Sequence, residues 1–330
     1  MSATDPRPSF IFDPCAEGVV DIAVATSAGN SWSSTVQRME EDKRPIYAGL
    51  CGLQLTSGIT VSLGKDVTIS PTYVHVMSHP MLAINRPSQP GANHPPPWIP
   101  TSSGFSYDVE AQLHIPASYS RNKVTRYEVA KSVVGLLRLY VHPDIRLAVA
   151  AIRPFADLLE VTDVNASAPI EVLPRYFDFG LIDNAEMEGR VDWVKQHWET
   201  ALDLMESSAG FKLAMDVYLT GQFIQNSAMV VVAVWGALEA LFSFEKSELR
   251  YRVSSNLAAY MVPRGPGRTA EQKRVAKLYD ARSAAAHGQP KHGPQELQDS
   301  FMLLRSVLIR IIEAAKVPTK AELEAKLFED

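Results

Sequence analysis

The chain has 330 residues, with 46% hydrophobic and 21% charged side chains and a formal net charge of −5. That length accommodates two domains of ~100–200 residues each, the composition is that of a globular fold rather than a disordered one, and the acidic balance excludes a chain-wide polyanion-binding surface. Cys15 and Cys51 are the whole cysteine complement, which excludes a disulfide framework and a cysteine-based zinc site and fits a reducing, cytoplasmic setting.

Met1 to Pro6 offers neither the basic nor the apolar stretch of a secretory leader, so none is expected. From there to about residue 120 strands and turns dominate. Val19 to Thr26 is β-branched and partly alternating. Pro45 to Thr56 and Ile59 to Leu63 are separated by the turn pair Ser57-Gly58, and Asp66 to Met77 carries Val67, Ile69, Tyr73, Val74 and Val76. Between His79 and Gly104, Pro80, Pro87, Pro90, Pro95, Pro96, Pro97 and Pro100 predict a long extended loop. Phe105 to Ile115 returns to alternation, with Val109, Ala111, Leu113 and Ile115 on one side. His75, His79 and His94 predict no metal site, because the first two lie where a strand enters the proline loop and no carboxylate or cysteine completes a set.

A helix is predicted from Arg126 to Tyr140, with Val129, Val133, Leu136, Leu137 and Tyr140 as its apolar stripe, stopped by His142-Pro143. Ile145 to Ala151 reads as a strand and Pro169 to Phe179 as extended chain. From Asn184 the pattern is helical: Glu186 to Met205, Phe211 to Tyr218, Ile224 to Phe244 and Glu248 to Met261. Pro263 to Arg268 is predicted as a loop that neither neighbouring helix enters, and Gln289 to Pro294 as a second break. Arg268 or Thr269 opens a helix that runs to His287. Glu296 to Ala315 is another helix, and Pro318 leads into a short charged one. The predicted fold is an α+β domain over residues 1–183, followed by an all-α up-and-down bundle over 184–330. The most apolar run, Met229 to Phe242, is shorter than the ~20 residues of a membrane span and contains Glu239, so it is read as a core helix and no membrane partner is expected.

The stretch from Leu278 to Gly288 pairs one arginine, Arg282, with one histidine, His287. Leu278, Ala281, Ala285 and Ala286 form an apolar stripe at helical spacing, and Gly288 suits a helix C-terminus. His287 is then placed at the helix end, where exposed carbonyls favour an imidazolium. Five helical positions turn through about 500°, so the two side chains point roughly 140° apart. They converge through the reach of the arginine at a fraying end, or each works beside a second copy of the motif. The alternative is structural: His287 caps carbonyls, and Arg282 pairs with Asp280 or Glu239. Glu239 is costly to bury unpaired, so contact with Arg282 is expected whether it orients the arginine in a site or merely pairs with it.

Arg282 to His287 resembles the RX4-6H motif of HEPN domains, all-α RNA-cleaving modules. The fuller pattern resembles the Apea-like branch of that group: Trp235-Gly236-Ala237-Leu238-Glu239-Ala240-Leu241-Phe242, then Glu248-Leu249-Arg250-Tyr251-Arg252, then Tyr279-Asp280-Ala281-Arg282-Ser283 and His287-Gly288. These blocks follow one another in this order, and the likeness covers roughly the last 140 residues. It departs from the family at Ser283, where many HEPN nucleases have Asn, Asp or His.

The resemblance implies a HEPN-type bundle and a metal-independent endoribonuclease with no cofactor. Arg282 and His287 are then catalytic, supported by Glu239, Tyr279 and Ser283; Tyr279 stacks on a base or simply packs. The RNA 2′-hydroxyl is the nucleophile, a histidine titrating near neutrality moves protons, and an arginine faces the charge growing on the phosphate. Arg250, Arg252, Arg268, Arg274 and Lys277, with Arg264 and Lys273, are the candidate RNA-binding rim; a solvated charged face is the alternative. Lys291 and His292 either assist or lie in an exposed loop. The implied partners are RNA, a second copy of the chain in a homodimer, and a phage or host trigger sensed by the N-terminal domain. The implied role is antiviral defence by abortive infection, with cleavage of RNA such as tRNA. The other reading is a non-catalytic HEPN-like scaffold for RNA, a nucleotide or a protein.

Overall fold

A computed structural model describes residues 44–55, 58–78, 82–101, 104–121, 124–160, 167–177, 187–245, 247–286 and 292–329. Cys15, the predicted strand Val19 to Thr26, His79, and the motif's His287, Gly288 and Lys291 lie outside the described residues.

The N-terminal part is an antiparallel sheet. Its strands are β1 (Ile46–Cys51), β2 (Val61–Gly64), β3 (Val67–Met77), β6 (Ser106–Ile115), β7 (Arg146–Ala151) and β8 (Ser167–Pro169), in the spatial order β2-β3-β6-β1-β7-β8. The alternation in β6 has its expected result: Val109, Ala111, Leu113 and Ile115 are all buried. Their β1 partners in register are buried too, with Leu50 opposite Ala111 and Ile46 opposite Ile115. β7 is buried along its whole length, as an inner strand covered on both faces must be. Its register with β1 shifts between Gly49 and Leu50. A Cβ on Gly49 would lie 2.6 Å from the ring tip of Phe155, so only glycine admits the short 3-10 turn Phe155–Glu160 here. Within the proline-rich segment, β4 (Leu82–Ala83) and β5 (Ile99–Pro100) pair as a two-stranded excursion rather than leaving the whole stretch as loop.

α1 (Arg126–Leu136) starts at a capping box: Thr125 accepts from the Glu128 N–H, and the Glu128 carboxylate accepts from the Thr125 N–H at 2.9 Å. It continues through a π-helical turn, Leu137–Val141, to the predicted stop at His142. The helical part then follows as α2 (Met187–Ser207), α3 (Ala209–Thr220), α4 (Ser227–Phe242), α5 (Leu249–Met261), α6 (Pro266–Ala286), α7 (Pro294–Glu313) and α8 (Lys320–Phe328). Two predicted boundaries move for local reasons. α4 begins at Ser227 rather than Ile224, because Gly221–Phe223 forms a 3-10 turn and the Asn226 side chain caps the N–H groups of Ala228 and Met229. α6 begins inside the expected loop, at Pro266, because a proline in the first helical turn loses no hydrogen bond there. Among the described residues no helix is long and apolar enough to cross a membrane.

The predicted division at 183/184 lies outside the described residues, and one core joins its two sides. One cluster of buried side chains runs from Ile46 through Trp198, Trp235 and Leu304 to Leu323. Polar bonds cross the same boundary. Trp198 Nε1 donates to the Leu63 carbonyl at 2.9 Å, and Arg305 Nε to the Leu139 carbonyl at 2.7 Å.

Candidate functional site

Of the described parts of the blocks that carry the resemblance, Trp235 to Phe242, Leu249 to Arg252 and Tyr279 to Ser283 fall on α4, α5 and α6, which pack on one another. On α4, Trp235 and Glu239 are four residues apart and share a face; on α6, Tyr279 and Arg282 are three apart and do the same. The two faces meet. Trp235 is fully buried, donates its indole N–H to Ser300 Oγ at 3.2 Å, and sits edge-on to Tyr279 with ring centroids 5.2 Å apart. Above that apolar floor the Glu239 carboxylate accepts from the Tyr279 hydroxyl at 2.7 Å. It also receives Arg282 Nη2, 3.1 Å from Oε1 and 3.2 Å from Oε2. Arg282 lies over the Tyr279 ring at 5.6 Å, so one carboxylate and one ring fix the guanidinium.

The network is screened but not sealed: the side chains of Arg282 and Glu239 are 24% and 17% exposed. Burial, reinforced by the hydrogen bond to Glu239, pushes the Tyr279 hydroxyl up to about 12. Tyr279 is therefore a neutral donor across the physiological range and not a proton acceptor. Arg282 Nε is buried without a hydrogen-bond partner among the described residues, and Ser283 beside it on α6 is half-buried. Among the described residues the guanidinium thus has its Nη2 engaged by Glu239 and its buried Nε without a partner.

The sequence left open whether Asp280 or Glu239 pairs with Arg282, and Glu239 does. Asp280 instead takes a two-pronged pair with Arg250 on α5, at 2.7 and 2.8 Å, with both side chains exposed. The Arg250 guanidinium holds the Asp280 carboxyl below its ordinary value.

The other rim candidates are mostly engaged within the chain. Arg252 pairs with Glu245 at 2.9 Å, and Arg274 grips Glu271 one turn back at 2.7 and 2.8 Å. Arg268 donates to the carbonyls of Val262 and Lys326, and Arg264 to that of Leu327, which ties the start of α6 to α8. Lys273 and Lys277 are exposed, without an ion pair among the described residues. His292 is half-buried rather than in an exposed loop, because Nε2 meets Ser227 Oγ at 3.0 Å, joining the entry of α7 to the first turn of α4. Tyr251, 64% exposed and next to Arg250, is an aromatic surface residue to which sequence reasoning gave no role.

In the sheet, His75 Nδ1 lies 2.8 Å from Asp108, and His94 Nδ1 lies 2.7 Å from the Asn85 carbonyl. Among the described residues no three His, Cys, Asp or Glu side chains come together as metal ligands.

No family model, curated protein or solved structure matches this chain.

Proposed function

We propose that the chain is a metal-independent endoribonuclease of the HEPN type, with the helical part as effector and the sheet-containing part as its sensor. The observation that carries this reading is the anchoring of Arg282 by Glu239 and Tyr279 at the last turns of α6. A guanidinium held in that way presents a fixed positive group without reorganisation, which is what a phosphate gaining charge requires. In the proposed reaction the imidazole of His287 accepts the proton of the RNA 2′-hydroxyl. The 2′-oxygen then attacks the adjacent phosphorus, the bond to the 5′-oxygen breaks, and that oxygen takes up a proton. Arg282 faces the non-bridging oxygens throughout. The products are a 2′,3′-cyclic phosphate and a 5′-hydroxyl. Two chains related by a two-fold axis would bring two arginines and two histidines to one cleft. The cellular role proposed with it is cytoplasmic, a phage-triggered cleavage of RNA such as tRNA that halts the infected cell.

The test is incubation of the wild-type protein with total RNA beside Arg282→Ala and His287→Ala. Defined fragments ending in cyclic phosphate from the wild type alone support the reading. Identical RNA profiles from all three proteins overturn it.

A second reading, a non-catalytic scaffold of the same fold, is favoured by one specific observation. Arg250, Arg252, Arg268 and Arg274 all direct their guanidinium groups to carboxylates or carbonyls of the chain itself. Such a scaffold would leave total RNA uncut, and with these arginines engaged its partner would be a nucleotide or a protein rather than RNA.

A further inference from the structure

Away from the helical site, three arginines converge on one aromatic ring. The guanidinium carbons of Arg138, Arg146 and Arg175 lie 5.6, 5.2 and 6.0 Å from the ring centre of Phe223. Arg138 and Arg146 are 2% and 7% exposed, so this positive charge sits in a place largely screened from water. Two carboxylates answer it. Glu171 accepts from Arg138 Nη2 at 2.5 Å, and Asp144 accepts from Arg175 Nη1 at 3.3 Å. Arg146 pairs with no carboxylate among the described residues. Its Nη1 donates to the Tyr107 hydroxyl at 3.1 Å and to the carbonyls of Glu171 and Leu173 at 2.6 and 2.7 Å, all of them neutral acceptors. Among the described residues, three guanidinium groups thus face two carboxylates, an excess of one positive charge.

Carbonyls and ring faces solvate a buried guanidinium but do not neutralise it, and an uncompensated buried charge is expensive. Arg175 carries the strain of that excess: burial, and then repulsion from Arg146, pull its guanidinium down to about 10. Its Nε is buried with no partner among the described residues. The cluster is not wholly enclosed, since Tyr107, Arg175 and Phe223 are each half-buried.

We propose that this cluster binds the oxyanion head of a small organic ligand, a phosphate monoester or a carboxylate, with Arg146 and Arg175 as its charged contacts and Phe223 as the wall behind them. A guanidinium fork matches both heads by pairing donors with two oxygens; Arg175 Nη2 already donates to the carbonyls of Asp144 and Ile145, contacts that the oxyanion would displace. Leu173 and Tyr176, 53% and 38% exposed on either side of Arg175 in sequence, offer apolar surface to the body of the ligand. The proposal stands independently of the ribonuclease reading. The ring at its centre lies just before α4, the helix that carries Glu239.

The test uses the full chain and three probes, inorganic phosphate, adenosine 5′-monophosphate and citrate, each against sodium chloride at equal ionic strength. Calorimetric titration is expected to give saturable binding for at least one of them. A probe at about 100 times its Kd is expected to raise the Tm by about 4 °C. The phosphate and citrate arms identify the head. Arg146→Gln and Arg175→Gln are each expected to weaken binding at least tenfold. In the wild type, phenylglyoxal modification of Arg175, mapped by mass spectrometry, is expected to fall when the site is filled. The proposal is overturned if no probe binds saturably, if both variants bind as the wild type does, or if Arg175 reacts equally with and without a saturating probe.

Discussion

Arg282 and Glu239 stand 43 residues apart in sequence and meet with Nη2 3.2 Å from Oε2, while the same carboxylate takes the hydroxyl of Tyr279. The pair links two helices and fixes the direction of a guanidinium at once, so structural and chemical consequences can be separated by substitution. Glu239→Gln keeps the shape and an acceptor but removes the charge. Its expected effects are a loss of about 1–3 kcal/mol of stability in urea unfolding and a fall of about tenfold or more in RNA cleavage. Cleavage at the wild-type rate by a folded Glu239→Gln protein would show that the pair serves packing alone.

Tyr279 gives a prediction for alkaline pH. Its hydroxyl titrates at about 12 in the fold, against an ordinary value of 10. A raised value means that the folded state holds its proton after the unfolded state has lost it. The stabilisation is complete below pH 10 and disappears as pH climbs toward 12, and it amounts to about 2 kcal/mol. Chemical denaturation between pH 8 and 11, monitored for the wild type and Tyr279→Phe, should show a steeper alkaline decline in the wild type. Parallel curves would remove Tyr279 from the account.

Gly49→Ala places a methyl group 2.6 Å from the Phe155 ring tip and 3.0 Å from Val149 Cγ1. The expected cost is about 1–3 kcal/mol from overpacking, recovered in part when Phe155→Leu shortens the opposing side chain. Urea midpoints of the two single variants and the double variant measure the coupling, and strict additivity would contradict the contact.

The shared core predicts how the chain unfolds. Trp198 packs in the same cluster as Leu50 and Leu113 of the sheet and donates to the Leu63 carbonyl. Trp198→Phe is expected to cost about 1–3 kcal/mol and to lower the sheet and helix signals together. Two separate transitions in the wild type, one for each half, would mean that the boundary bonds contribute little.

What was legible in the sequence is what depends on near neighbours. The alternation Val109 to Ile115 marks a strand with one buried face, and Val129, Val133 and Leu136 mark the inner stripe of α1, because side-chain direction follows position along the element. The contact of Glu239 with Arg282 was legible for another reason: a carboxylate in so apolar a helix needs a cation. The buried arginines were not legible. Arg146 finds its acceptors in Tyr107, Glu171 and Leu173, brought together only by the sheet, and nothing at Arg146 itself marks it as buried. The rim read as a cluster around α6 failed to show its pairings for the same reason, since Arg250 meets Asp280 from another helix and Arg268 reaches the Lys326 carbonyl of α8. The starts of α4 and α6 shifted because Asn226 and Pro266 act as helix openers only in particular backbone settings.

The seating of Trp235 also equips the chain with a built-in optical reporter. Its indole is wholly shielded and meets Tyr279 edge-on, and Tyr279 in turn touches the carboxylate that grips Arg282, whereas Trp98 is 60% exposed and Trp198 lies beside the sheet. Replacing the other four tryptophans, Trp32, Trp98, Trp193 and Trp198, by phenylalanine leaves the emission to the indole nearest the guanidinium. An oxyanion drawing Arg282 away from Glu239 would then register as a change in fluorescence intensity or wavelength, without any label attached.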